Sequence, residues 1–235
     1  RMVTVFPESE KGCFTSEYMR EALQHTAMKQ LGSADFPMLS GMYQLIALLV
    51  HMEHHLLTTG LGLRQVCDWA VTAHAQREEI GEMELALLDR CGLLHFAKIV
   101  TRLCEMHLGL PPYGWSADVP DALTDTLMRD ILDGGNFQSQ YQTRPFGAVL
   151  TDAYNIQDSA KSSILRNYTQ YIRTRVWYEH PRAKSSLWIP FFSVFYPLRW
   201  TVRMLQGKRK KANLLQAIRS AQSRESFLRE LRLYR

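Results

Sequence analysis

The chain lacks most of the short signatures that announce catalysis. It has no G-x-S-x-G nucleophile turn, no G-x-x-x-x-G-K-[ST] phosphate loop and no Rossmann glycine set. "LGSAD" at Leu31–Asp35 contains a Gly-Ser step, but no D-x-D or D-x-E pair stands downstream of it. Two-metal phosphoryl transfer needs clustered carboxylates to hold Mg²⁺ against a triphosphate, so no catalytic residue is assigned within this chain. Cysteine is scarce too. Cys13, Cys67, Cys91 and Cys104 stand singly, without a C-x-x-C pair, which argues against a disulfide framework. Cys67, Cys91 and Cys104 fall in apolar helical patterns, where a free thiol acts as a small buried hydrophobe, and a reducing cytoplasmic setting is expected. There is no uncharged apolar run of spanning length and no leader with a cleavage site. The opening "RMVTVF" has no initiator Met, reads as strand, and starts as abruptly as the middle of a longer chain.

What is present is ordinary in bulk and uneven in distribution. Of 235 residues, 46% are apolar and 22% charged, as in folded globular proteins. The net charge of +5 conceals a split. Residues 159–235 carry 17 Lys and Arg against three acids, Glu179, Glu225 and Glu230, whereas residues 1–158 hold 11 basic and 20 acidic side chains. The basic end is suited to an anionic partner, or to the acidic half itself.

Helical periodicity dominates. "TSEYMREALQHTAMKQLG" has a Thr or Ser cap, an early Glu and a closing Gly, predicting a helix over about 15–32. A long, nearly all-round apolar helix is expected from about Ser40 to Thr59, central in the fold. "GLRQVCDWAVTAHAQ" follows the Gly60–Gly62 break, with Val66, Trp69, Ala70 and Ala73 as its buried stripe. "MELALLDRCG" and "LLHFAKIVTRLCEMHLG" read as a helical pair closing on Gly92 and Gly109. "PPYGWSADVP" is a loop, and "DALTDTLMRDILDGGNF" is a helix from an Asp cap to Gly134–Gly135. Residues 138–160 read as a long polar connection. Helical segments complete residues 161–235, the basic, aromatic-rich end. The expected fold is mostly α: a multi-helix bundle spanning 15–137, preceded by a short N-terminal strand remnant over 1–14.

Three clusters carry chemistry. In "HMEHH", His51 and His55 lie four apart on one helical face, with His54 near it and Glu53 pointing elsewhere. The order fits neither H-E-x-x-H nor H-x-x-E-H. A metal with Asp68 as third ligand is one reading; histidines satisfied at the end of an apolar helix are the commoner one, and no resident metal is expected. In "LRQVCDW", Arg64 and Asp68 are spaced for a helical ion pair. Alternatively, Arg64 near a helix start, beside His51 and His55, forms a cationic pocket for phosphates. Trp188, Phe191, Phe192, Phe195, Tyr196 and Trp200 accompany Arg199 and Arg203 and precede Lys208, Arg209, Lys210 and Lys211. An aromatic stripe followed by a basic run suits an anionic membrane surface; packing onto a helical core, with "GKRKK" as a solvated turn, suits it equally. Sequence-specific nucleic-acid binding is not expected, since no helix-turn-helix, RRM, KH or zinc-finger pattern accompanies the charge.

"YQLIALLVHMEHHLLTTGLGLRQVCDWAV", "LLDRCGLLHFAKIVTRLCEMHLGL" and "ILDGGNF" together resemble the uncharacterised nucleotidyltransferase-like family of bacterial proteins, akin to polymerase-β-type nucleotidyltransferases. The pattern of a His-rich helix, Gly-Leu-Arg, D-W-A, GLL-x-F-A and a GNFG-like turn falls on His51, His55, Arg64, Asp68, Trp69, Phe96 and Gly135–Phe137. It covers roughly residues 35–140, and Gln138 replaces the final Gly of the turn. The resemblance implies a nucleotidyltransferase parent, often found among polysaccharide-biosynthesis genes, whose Gly-rich segment, Asp pair and Mg-bound nucleoside triphosphate belong to a domain upstream of Arg1. "RMVTVF" would then be that domain's last strand. This chain would be the helical part contacting nucleotide or acceptor, with His51, His55 and Arg64 on phosphates and Asp68 orienting Arg64. A non-enzymatic helical adaptor, docking on a membrane surface or acidic partner through its basic end, is the alternative.

Overall fold

Ser9 starts the first helix. Its Oγ accepts from the Gly12 N–H (2.9 Å), and Glu10 opens the first turn, where a carboxylate favours the helix dipole. This helix, α1, spans Glu10–Tyr18. The computed structural model describes residues 9–58, 60–134 and 188–205, together with Thr169, Ile172, Val176, Phe227, Glu230 and Leu231. The expected strand at Met2–Phe6 and the connection over 138–160 lie outside the described residues, and residues 10–14 are helical rather than strand.

The helix expected over 15–32 is corrected by the structure. After α1 the chain makes a 3-10 turn, Ala22–Gln24, and then an antiparallel hairpin of β1 (Thr26–Leu31) and β2 (Ala34–Leu39), Leu31 pairing with Ala34. Gly32, read from sequence as a helix end, has φ 64° and opens the two-residue turn instead. Positive φ at the first loop position matches the strands' right-handed twist and favours glycine. A lone hairpin has little stability of its own, and this one is tied at its base. Ser40 donates to the His25 carbonyl from both its N–H (3.2 Å) and its hydroxyl (3.0 Å). The His25 ring stacks on Tyr43 at 4.6 Å, which stacks on Tyr18 at 4.5 Å. Burial, with Tyr43 stacked against it, pushes the Tyr18 phenol up to about 12.

Five helices follow much as periodicity predicts: α2 (Gly41–Thr58), α3 (Leu63–Ala75), α4 (Glu82–Arg90), α5 (Leu94–His107) and α6 (Asp121–Gly134). Gly92 (φ 72°) ends α4 in a Schellman turn, its N–H bonded to the Asp89 carbonyl while Leu93 N–H reaches Leu88. The centre of the bundle is α5, not α2. It packs against α3, α4 and α6, and Phe96, Ala97, Ile99, Val100, Leu103 and Cys104 are all fully buried. By contrast α2 packs on α3 and β2, so Ala47 and Leu48 stay only part-buried despite its apolar sequence. Of the expected α3 stripe, Val66, Trp69 and Ala73 are fully buried and Ala70 is part-buried. Cys67 is exposed, contrary to its expected burial, because it lies on the solvent side of α3.

The loop between α5 and α6 is held by one carboxylate. Glu105, its side chain 4% exposed, accepts from the Tyr113 N–H (2.7 Å) and the Ser116 hydroxyl and pairs with Arg102 (3.2 Å). Arg102 also grips Asp121 at the start of α6 (3.0 Å).

Contacts divide the chain into two units, residues 1–139 with 227–235, and residues 140–226. In the first, Phe227 and Leu231 are buried and His95 Nε2 donates to the Glu230 carbonyl (3.0 Å). In the second, α7 (Trp188–Leu205) buries Phe192 and Tyr196 against Ile172 and Val176. Among the described residues there are thus seven α-helices and one two-stranded sheet. No helix among them is long and apolar enough to cross a membrane.

Candidate functional site

The α2–α3 hairpin places the histidines and Arg64. Positions 51 and 55 are one helical turn apart, and the His51 and His55 rings meet edge to face with centroids at 4.4 Å. His54 stands 6.1 Å from His55, also edge to face. His51 is exposed, and the other two are part-buried. Burial holds the His54 imidazole below its ordinary value, and the neighbouring His51 adds to the effect. His55 is lowered for the same reasons, with His54 as a further repulsive neighbour. Both rings are therefore neutral near pH 7. Glu53, the acid inside the motif, turns the other way and is fully buried.

Gly60 (φ 109°) turns the chain beyond α2, and its N–H bonds to the His55 carbonyl (2.6 Å). Gly62 precedes α3, and its N–H donates to the buried Gln65 Oε1 (2.9 Å). At the opposite end of the pair, Gln76 donates to Gln44 (3.1 Å), tying the start of α2 to the end of α3. The helices therefore run antiparallel, which puts His55 in the last turn of α2 and Arg64 in the first turn of α3 toward the same end of the hairpin, with His51 one turn further in.

Arg64 and Asp68 are both exposed. Among the described residues no ion pair joins them, although their spacing allows one, so Asp68 does not orient Arg64 here. The Asp68 carbonyl instead accepts from the Thr72 hydroxyl (2.8 Å). An exposed guanidinium in the first turn of α3 offers hydrogen-bond donors to an anion. Among the described residues no group of three or more His, Cys, Asp or Glu side chains is placed to hold a metal ion.

Two residues carrying the sequence pattern are structural. Trp69 is fully buried, and its indole N–H donates to the equally buried Thr101 hydroxyl (3.0 Å). Phe96 lies fully inside the core on α5. Gly135–Phe137 lie outside the described residues.

Of the basic candidates near the C-terminal end, Arg199 is exposed on α7. Arg203 belongs to the same helix, its side chain outside the described residues, as are Lys208, Arg209, Lys210 and Lys211 altogether. Sequence reasoning missed the inward turn of Gln65 and the role of Glu105. The Gly62–Gln65 spacing of a helix start was a usable signal for the first; nothing local marks the second. No protein-family model, no curated protein and no solved structure matches this chain.

Proposed function

We propose that this chain is the helical nucleotide- or acceptor-binding part of a nucleotidyltransferase-like protein, cytoplasmic, with its catalytic carboxylates and Mg-bound nucleoside triphosphate supplied by a domain outside this sequence. The observation that supports the reading is the His51–His55 ring pair on α2 and the exposed Arg64 in the first turn of α3, on two helices joined by the Gly60–Gly62 turn. Arg64 makes the charged contact with a phosphate, and the His51 and His55 imidazoles add further hydrogen bonds. An anion favours the protonated imidazole, so binding draws protons onto His55 and tightens as pH falls. Asp68, unpaired with Arg64, limits the site by repelling anions that approach along α3.

Calorimetric titration with ATP, GTP, CTP and UTP, each with and without Mg²⁺, tests this. Saturable binding that weakens about tenfold in Arg64→Ala, the scale of one charged hydrogen bond, is expected. Absence of heat up to millimolar nucleotide, or binding untouched by Arg64→Ala and by His51→Ala with His55→Ala, overturns it.

A further inference from the structure

Helix α7 is apolar on two sides, and among the described residues only one of them packs against a neighbouring cluster. Phe192 and Tyr196 face Ile172 and Val176. Trp188, Phe191, Phe195, Leu198 and Val202 recur at intervals of three and four residues along another face, and all five are exposed, Phe191 by 55% and Leu198 by 60%. Their rings support one another: Trp188 meets Phe191 edge to face at 6.0 Å, and Phe191 stacks on Phe195 at 5.8 Å. A contiguous exposed stripe of large apolar side chains marks a contact surface. Arg199, one residue beyond Leu198, borders it and is exposed.

Charge identifies what covers the stripe. Between Glu179 and Glu225 there is no acidic residue at all, while ten Lys and Arg fall in the same span, four of them consecutive at Lys208–Lys211. A second copy laid along this face brings the same uncompensated positive charge against itself. An anionic lipid surface neutralises the charge and takes up Trp and Phe at the level of its headgroups. With no described helix long and apolar enough to cross a bilayer, α7 lies on the surface. We infer that the exposed face of α7, with its flanking basic residues, docks the protein peripherally on an anionic bilayer. The inference does not rest on the α2–α3 site or on that site's ligand.

The test is sedimentation of the full chain with phosphatidylglycerol vesicles and with phosphatidylcholine vesicles, alongside two variants: Phe191→Asp with Phe195→Asp, and Lys208–Lys211 all changed to Gln. Binding to the anionic vesicles at least about tenfold tighter than to the neutral ones is expected. Each variant should lose about tenfold or more on the anionic vesicles, with circular dichroism unchanged, and Trp188 emission should shift blue on binding, a shift that Trp188→Phe reduces. No pelleting with phosphatidylglycerol overturns the inference, as does equal binding to both lipids. So does binding unaffected by the Phe191 and Phe195 changes. Self-association abolished by those changes, without any vesicle binding, assigns the stripe to a second copy instead and equally overturns it.

Discussion

Helices α5 and α7 are both rich in large apolar residues, yet the fold treats them in opposite ways. Around α5 stand three other helices, and what solvent reaches it meets ion pairs: Lys98 with Asp118 at 2.8 Å, Arg102 with Asp121 at 3.0 Å. On α7, Phe192 and Tyr196 pack on Ile172 and Val176, while Trp188, Phe191, Phe195, Leu198 and Val202 are exposed. Apolar periodicity thus reports that a helix needs cover; it does not report how much of that cover the chain itself provides. Where acids and bases alternate, as beside α5, the outer face is finished with charge. Where acids are missing, as along α7, large apolar side chains stay exposed instead.

The contrast breaks most visibly at the α3–α5 interface. Trp69→Ala removes the largest fully buried side chain among the described residues and leaves the Thr101 hydroxyl without its donor. A loss of about 3–5 kcal/mol is expected, read by urea denaturation. Trp69→Phe, which keeps one aromatic ring but loses the pyrrole half of the indole and its hydrogen bond, should recover part of it.

A smaller loss is expected at the charged edge of α5. Glu105→Ala strips an acceptor from the Tyr113 N–H and the Ser116 hydroxyl at once, costing about 2–3 kcal/mol. The 110–120 loop should then show faster amide exchange than in the wild type, while exchange in α4 stays as it was.

The histidines sharpen the comparison from the side of pH. His54 and His55 titrate below the ordinary imidazole value because they are part-buried and repelled by neighbouring rings. Unfolding frees them to take protons at their ordinary value, near 6.5. Below that pH the unfolded chain binds more protons, so stability falls as pH drops through it and levels off once the folded rings titrate. The thermal midpoint should decline from pH 7 toward pH 5, and His54→Gln with His55→Gln should flatten that slope. A slope unchanged in the double variant assigns the acid sensitivity elsewhere.

The elements that could be read from sequence are those whose signals are local. Helices α2 to α6 have their apolar spacing and their Gly92 and Gly109 stops within a few residues, and both glycines do adopt φ 72°. The hairpin carried one local signal, the Gly32–Ser33 step, but the same stretch fits a helical pattern with Gly32 as its end. Its first strand does not alternate apolar and polar residues and both strands are largely exposed, so no two-residue period marked it. In the candidate site, the His51–His55 contact follows from a four-residue spacing on any helix. The absent Arg64–Asp68 pair does not follow, since that spacing only permits contact and water competes well for exposed charges. The Glu105 network joins residues eight and eleven positions apart through a loop, and no periodicity encodes that.

The smallest stability effect is the most informative about α7. Phe191 and Phe192 are adjacent in sequence and their rings meet at 5.3 Å, but Phe191 is 55% exposed and Phe192 7%. Phe192→Ala opens a cavity against the Ile172 and Val176 cluster, and a loss of about 3 kcal/mol follows from truncating a buried ring. Phe191→Ser removes a ring already half in water, so its effect should stay within about 0.5 kcal/mol, the range of surface changes. Paired thermal melts of the two variants measure the difference directly. If Phe191→Ser destabilises as much as Phe192→Ala, the stripe is covered by the chain's own residues, α7 becomes a second α5, and no outside surface is needed to explain it. If the gap holds, the apolar face of α7 contributes nothing to folding, and its five large side chains are kept for what binds them.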